Sequence, residues 1–400
     1  MKRVFLRASW ARLKRIIACF VLLGTCAPVV SDDIFAAQNR RSRTNKRIVR
    51  QRLKRKRRQK RPIAQSLAYK SFSTSISKFF DDTTCVANQS SHEYIWEQPI
   101  TKSFNELILS WNALRPDDGK LTFAVSIKHA NQWSNWHRLA EWGPDFQRTF
   151  VNKRHPYVHT KHVRVEMQRG CRARGFRVRV TSSGGAKLEN LKALFACLSN
   201  LNQFQINQPD KDLSHVVIQG VPRQSQMVID HPRRKDLCSP TSTSVVVNYF
   251  MRSLYGQTSN MHDYVIDFAD KVHDQGPNIY GNWLFNVAQA YNSSRGDVFY
   301  RVERLNSFND LYSYLAREIP IVVSVRRLRG GATPYRNGHI LVVVGYNPVN
   351  KTVLCIDPAF RNAKSCLKAY GLWDFLYAWG RSRNLSYIPM PTKGKWSKPE

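Results

Sequence analysis

Acidic residues are scarce in this chain: 28 Asp and Glu face 63 Lys and Arg, for a formal charge of +35. In the first sixty or so residues only Asp32 and Asp33 are acidic, and about half of the excess charge gathers there. Charge of this sign ordinarily points to nucleic acid or an anionic surface. Beyond that segment the cations are scattered between apolar runs, as on a solvated surface, so no specific nucleic-acid partner is expected for the folded part. Cys-x-x-Cys is absent, which argues against a zinc ribbon or a thioredoxin-like site. No apolar run after the first thirty residues is long enough to cross a bilayer as a helix. Internal repeats are also lacking. No cofactor and no metal are expected.

What is present begins with an export signal. Lys2, Arg3, Arg7, Arg12, Lys14 and Arg15 precede a largely apolar stretch from Ile16 to Val30. Its length suits a signal h-region better than a membrane span. Without an A-x-A cleavage site, residues 1–37 read as a signal peptide or an uncleaved anchor, placing the protein in the periplasm or outside the cell. Residues 38–70 contain the basic run from Arg40 to Arg61, a disordered arm suited to anionic lipid headgroups or polymers. The chain has eight cysteines. In an exported protein, one disulfide is expected in each folded part, with one thiol left over in each.

Residues 71–207 read as β-rich. Glu106–Trp111 and Lys120–Ile127 flank the turn Arg115-Pro-Asp-Asp-Gly119, and Leu121, Phe123, Val125 and Ile127 alternate with smaller or polar residues. That alternation is the period of a half-buried strand. His162–Glu166, Phe176–Val180 and Leu188–Leu198 add further strands, so an all-β sandwich or jelly-roll-like domain is expected. The polar stretch Asn207–Asp212 then reads as a linker, and the β-rich part is expected to fold by itself. Residues 208–400 change texture. Helices are predicted over Ser239–Arg252, Met261–Val272 and Trp283–Tyr291, and after a Ser307 cap. Strands follow at Ile321–Val325, Ile340–Tyr346 and Thr352–Ile356, an α+β layout.

The chemistry gathers in three short pieces. Leu237-Cys-Ser-Pro-Thr-Ser-Thr243 sets Cys238 at a helix start, where unpaired backbone N–H groups and the helix dipole favour a thiolate. Gly338-His339 opens the apolar strand Ile340–Tyr346. If Tyr346 pairs with Thr352 across the next hairpin, Leu341 lies opposite Asp357, and His339 shares the face and end of the strand with Leu341. A carboxylate there orients the imidazole and stabilises its charged form. Cys238 as nucleophile, His339 as base and Asp357 as orienter make a thiol hydrolase the best account of the three.

Val221-Pro-Arg-Gln-Ser-Gln226, then CSPTS, GHILVVVGYN and IDPAF together resemble the C39-like peptidase family of the papain-like cysteine peptidase clan, over about Asp210 to Pro391. The region upstream is similar to the β-rich leader of secreted bacterial members. The resemblance implies a papain-like catalytic domain and assigns Gln226, with Gln224 as its competitor, as a donor to the oxyanion. It also implies that Asn282 and Trp283 line the cleft. The chain departs from the commoner Cys-Gly-Pro by having Ser239, and from the Gly that many relatives have before Pro320. An exported cysteine peptidase or amidase acting on a peptide or amide, with cell-wall material among the candidate substrates, is the expected function. The alternative is a binding protein for glycan, cell wall or anionic polymer that reuses the fold without catalysis.

Two lesser patterns remain. His155, His159 and His162 have a spacing that could hold a metal, but no acidic or thiolate partner stands near. Trp133, Trp136 and Trp142 could stack on sugar rings, although packing is the commoner use of such residues.

Overall fold

A computed structural model describes residues 71–80 and 92–397, so the expected signal segment and basic arm lie outside the described residues. Eleven strands occupy the first part: β1 (Ser73–Phe79), β2 (Glu93–Gln98), β3 (Glu106–Ala113), β4 (Lys120–His129), β5 (Gln132–Trp133), β6 (His137–Trp142), β7 (Gln147–Thr149), β8 (Val158–Lys161), β9 (Arg164–Met167), β10 (Gly175–Ser183) and β11 (Leu191–Ser199). They form two antiparallel sheets, ordered β1-β11-β3-β9-β8 and β2-β10-β4-β6-β7, with β5 paired to β4. The sheets meet through aromatic side chains: Trp111 of β3 stacks on Phe123 of β4 at 4.0 Å and meets Trp142 of β6 edge-on. Of the strand expected over His162–Glu166, the first two residues form the turn between β8 and β9, and the rest lie in β9.

The second part runs β12 (Val216–Val217), α1 (Cys238–Tyr255), α2 (Met261–Asp270), α3 (Trp283–Ser293), β13 (Val298–Arg304), α4 (Phe308–Leu315), β14 (Ile321–Val325), β15 (His339–Asn347), β16 (Thr352–Ile356), α5 (Ala363–Cys366), β17 (Leu367–Gly371), α6 (Leu372–Gly380) and β18 (Leu385–Pro391). One antiparallel sheet, β13-β18-β14-β15-β16-β17 with β12 on β15, backs the helices. α1 holds Val245–Val247 in a helix despite their poor propensity, because all three are fully buried and packing outweighs a preference of a few tenths of a kcal/mol. Ser307 and Asp310 form a reciprocal capping box at the start of α4.

A seam joins the two parts within one compact unit. Every residue of β3 is buried, although Glu106, Ser110 and Asn112 are polar. Those three face the second part. Asn112 bonds both backbone groups of Tyr300 in β13, donating at 2.6 Å and accepting at 2.7 Å, as a neighbouring strand would. Ser110 accepts from the Val302 N–H at 3.2 Å, and Glu106 receives two bonds from the Arg304 guanidinium, both side chains buried. Trp111 also touches Phe285 of α3. The Asn207–Asp212 stretch is itself pinned: Asn207 donates to the Asn306 carbonyl, and the Asp210 N–H donates to Asn309.

The five described cysteines are all free. The disulfide expected in the last part therefore does not form. Cys355 is buried within β16, while Cys366 is buried at the end of α5 and directs its thiol to the Gln224 and Asn362 carbonyls. Burial pushes both thiols up, Cys366 to about 12.

Candidate active site

Cys238 is the first residue of α1, and no side chain caps that helix start. Its N-terminal N–H groups are therefore left for another acceptor, and the dipole favours negative charge there. The hydroxyl residues that follow fix the helix to the sheet. Ser239 bonds the Tyr387 hydroxyl at 2.9 Å, and Ser242 donates to the Ile340 carbonyl at 3.1 Å. Cys238 is thereby held against the end of β15 where His339 stands. Unlike the buried Cys197, Cys355 and Cys366, it is only half-buried.

His339 opens β15 opposite Val325. The preceding Gly338 has φ +109, a conformation that side chains with a Cβ rarely adopt, and this turns the chain from the loop into the strand. At the hairpin Asn347, not Tyr346, pairs with Thr352. The β-bulge at Val344 then takes up one residue, so that Val343 faces Cys355 and Val342 faces Ile356. Continuing that register sets Leu341 against Asp357. The bulged Val344 gives its carbonyl to the Ile218 N–H, and a Cβ on Gly345 would stand 2.6 Å from the Val216 carbonyl oxygen of β12.

His339 Nε2 donates to Asp357 Oδ1 at 2.8 Å, both side chains buried. That bond commits Nε2, leaving Nδ1 for Cys238. Burial pulls the imidazole pKa down, but the charge and hydrogen bond of Asp357, joined by those of Cys238, outweigh it and raise the value to about 9. On Asp357, burial acts upward and loses to His339, Tyr370 and the Ala359 N–H, so its pKa falls below the usual carboxylate value.

Sequence reasoning missed two tyrosines. Tyr335 and Tyr370 both donate to Asp357 Oδ2, at 2.8 and 2.6 Å. Tyr335 also stacks flat on the His339 ring, with centroids 4.0 Å apart. Tyr370 lies on β17, a strand the sequence pattern did not reveal. Tyr335 sits in the Arg- and Gly-rich loop 326–338, where only the closeness of His339 in the chain could have flagged it.

These residues face a cleft of about 1060 Å³ whose lining includes Gln226, Cys238, Tyr335 and His339. Gln226 lies in a short turn of 3₁₀ helix and is buried, and its amide nitrogen donates to the Arg234 and Lys235 carbonyls at 2.9 and 2.8 Å. Both amide hydrogens are thus engaged, and Oε1 is buried without a partner. Donation to a substrate oxyanion would require exchanging one of these bonds. Gln224 is absent from the lining and donates to the neighbouring Ser225 carbonyl.

Asn282 and Trp283 are not part of this cleft. Asn282 caps α3 and donates to buried Asp274, which also accepts from Thr149 of β7, while Trp283 lies under Arg164 of β9. Both serve the seam. His155, His159 and His162 are engaged separately, with Tyr157, Gln168 and Thr149, and no group of three metal-ligating side chains is assembled among the described residues. Cations lie over all three tryptophans: Arg177 over Trp133 and Trp136, Arg179 over Trp136, and Arg115 over the buried Trp142. That arrangement covers indole faces a sugar would need.

Residues 218–387 match the model of the Peptidase_C39 like family. Among solved structures, xylellain, a cysteine protease from Xylella fastidiosa, is similar over 49 % of this chain and 94 % of its own. The identity is 11 % and the TM-score 0.28, too remote for any argument to rest on it. No curated protein matches the chain.

Proposed function

From the match of residues 218–387 to the Peptidase_C39 like family, we propose that the chain is an exported cysteine peptidase or amidase with a Cys238–His339–Asp357 triad. The observation that carries this reading is the His339 imidazole, held by Asp357 through Nε2 and raised in basicity beside a half-exposed thiol. His339 takes the Cys238 proton at Nδ1, and the thiolate attacks the amide carbonyl. The oxyanion is met by the Cys238 backbone N–H at the uncapped helix start, and by Gln226 once it releases a carbonyl. Imidazolium then protonates the leaving amine as the C–N bond breaks. Water, losing its proton to His339, hydrolyses the thioester and restores the thiol. The catalytic domain is papain-like in this reading, and the two upstream sheets form a sandwich-like domain. The signal segment and the basic arm would hold the enzyme near anionic lipid or wall polymer, with a peptide or amide as substrate.

The engagement of both Gln226 hydrogens favours a second reading, a binding protein that keeps the fold without turnover. Labelling separates the two. With iodoacetamide near neutral pH and peptide mapping, Cys238 should react fastest among the described thiols. Equal rates at Cys238 and Cys366 would defeat the nucleophile assignment. Rapid labelling without any acyl-enzyme burst from reactive amides would favour the binder.

A further inference from the structure

The cleft is lined by Arg234, Lys235, Arg336 and Arg361, and by no Asp or Glu. All four are exposed, and none forms an ion pair among the described residues. The adjoining loop 326–338 adds Arg326, Arg327 and Arg329 and contains no acid. Asp236, the carboxylate nearest to the first pair in sequence, is itself taken by Arg233 at 2.9 Å. Like charges crowded on one concavity repel each other, and a cleft focuses the resulting field outward onto whatever enters.

Their placement follows the triad. Arg234 and Lys235 stand in the turn leading into Cys238, Arg336 leads into His339, and Arg361 follows Asp357. Positive charge therefore borders the nucleophile from three segments, while Met227, Ala332, Pro334, Ala359 and Phe360 supply apolar lining between them. Resting on the catalytic reading above, we propose that the substrate is an acidic peptide, with carboxylate side chains flanking the scissile amide on both sides. Nucleic acid fits this cleft less well. Single-strand sites present several aromatic platforms to successive bases. Here the lining aromatics are Phe360, which has Lys368 over its ring, and Tyr335, which is buried against His339.

The test uses the full chain and three peptidyl electrophiles that differ only in their flanking residues: Glu, Gln or Lys. Cys238 labelling is followed at low and high salt. The Glu form should react at least tenfold faster than the Lys form at low salt, with the advantage shrinking as salt screens the exposed charges. Arg336→Glu with Arg361→Glu should erase or reverse that order, each single change contributing roughly two- to fivefold. The ratio of the Glu to the Lys rate is what decides, and an unchanged melting temperature of the double variant excludes a folding defect. Equal rates for the Glu and Lys forms would overturn the proposal while leaving Cys238 as nucleophile. Protection of Cys238 by single-stranded DNA at concentrations far below those of the Glu peptide would overturn it in favour of a polyanion site. Failure of even the Gln form to label Cys238 would remove the catalytic reading, and this proposal with it.

Discussion

Glu106 and Asp357 are both fully buried carboxylates, each hydrogen-bonded to one basic side chain, yet their surroundings differ in kind. At the seam, Glu106 is bonded by Arg304, itself buried, whose Nη1 donates to the Ser382 and Arg383 carbonyls, and is approached by Arg164 at 3.4 Å. Asn112 and Ser110 beside it are likewise paired with backbone groups. At the cleft, the partner of Asp357 is a histidine that turns its other nitrogen to a half-exposed thiol. Around it stand an uncapped helix start, a Gln226 oxygen and four cations that find no partner among the described residues. Where valences close inside the chain, a substitution costs stability. Where they stay open, it costs what the opening serves.

The widest separation is expected at the thiol. Cys238→Ala and His339→Ala should each lower turnover by about ten-thousandfold or more, because nucleophile and base act as a unit. Cys238→Ala should leave the melting temperature almost unchanged. Asp357→Asn keeps the shape and loses the charge, so a loss on the order of ten- to ten-thousandfold is expected, measured as kcat/KM. A large drop in melting temperature for Cys238→Ala would break the distinction between the regions.

The seam should answer in the opposite currency. Arg304→Met leaves buried Glu106 with only the longer ion pair to Arg164, at 3.4 Å, and should cost about 3 kcal/mol of stability. A second change, Glu106→Leu, should restore much of that loss. Denaturant unfolding should show a single transition in the native chain, since the pairs along β3 and β13 tie the two parts together. Two resolved transitions would mean that segment 71–207 folds alone, as its sequence pattern leads one to expect.

The grouping of Cys238, His339 and Asp357 was legible because it is written in short local pieces: a cysteine at a helix start, a Gly-His before an apolar strand, and an Asp-Pro after the next. The register linking the last two emerged through compensating departures. The hairpin pairs one residue later than the pattern predicts, and the Val344 bulge restores the alignment, neither being visible in the alternation of side chains. The seam was hidden for a different reason. In Glu106-Leu-Ile-Leu-Ser-Trp-Asn112 the polar members share one face of the strand, and only the tertiary packing of β13 buries them. Tyr370 escaped notice because the pattern around it is too weak to mark β17.

Acidity offers a finer probe of the cleft. His339 has its folded pKa raised to about 9, above an unfolded value near 6.5. The stabilisation from that shift is fully present below about pH 6.5 and is lost as pH rises through 9. Asp357 is shifted downward, so its share is present above its unfolded value near 4 and fades as pH falls. Wild-type stability should therefore decline between about pH 6.5 and 9, by on the order of 2–3 kcal/mol. His339→Gln should flatten that decline, as followed by urea midpoints. An unchanged slope would assign the decline to groups elsewhere.

The smallest effects are expected at the two tyrosines, where open and closed valences meet. Tyr335 and Tyr370 each close part of Asp357 Oδ2, but only Tyr335 also stacks on the imidazole. Tyr370→Phe removes one hydrogen bond to a charged oxygen and should cost about 1–2 kcal/mol of stability with only a few-fold loss of kcat/KM. Tyr335→Phe removes a comparable bond while keeping the ring, so its loss should match that of Tyr370→Phe. Tyr335→Ala removes the ring as well. The imidazole then gains room to rotate about its bond to Asp357, and kcat should fall about tenfold further, since a misplaced base costs rate more than binding. If Tyr335→Ala and Tyr335→Phe give the same kcat, the stack does not position His339. The phenols would then belong with Arg304, as groups that close a buried charge and do nothing more.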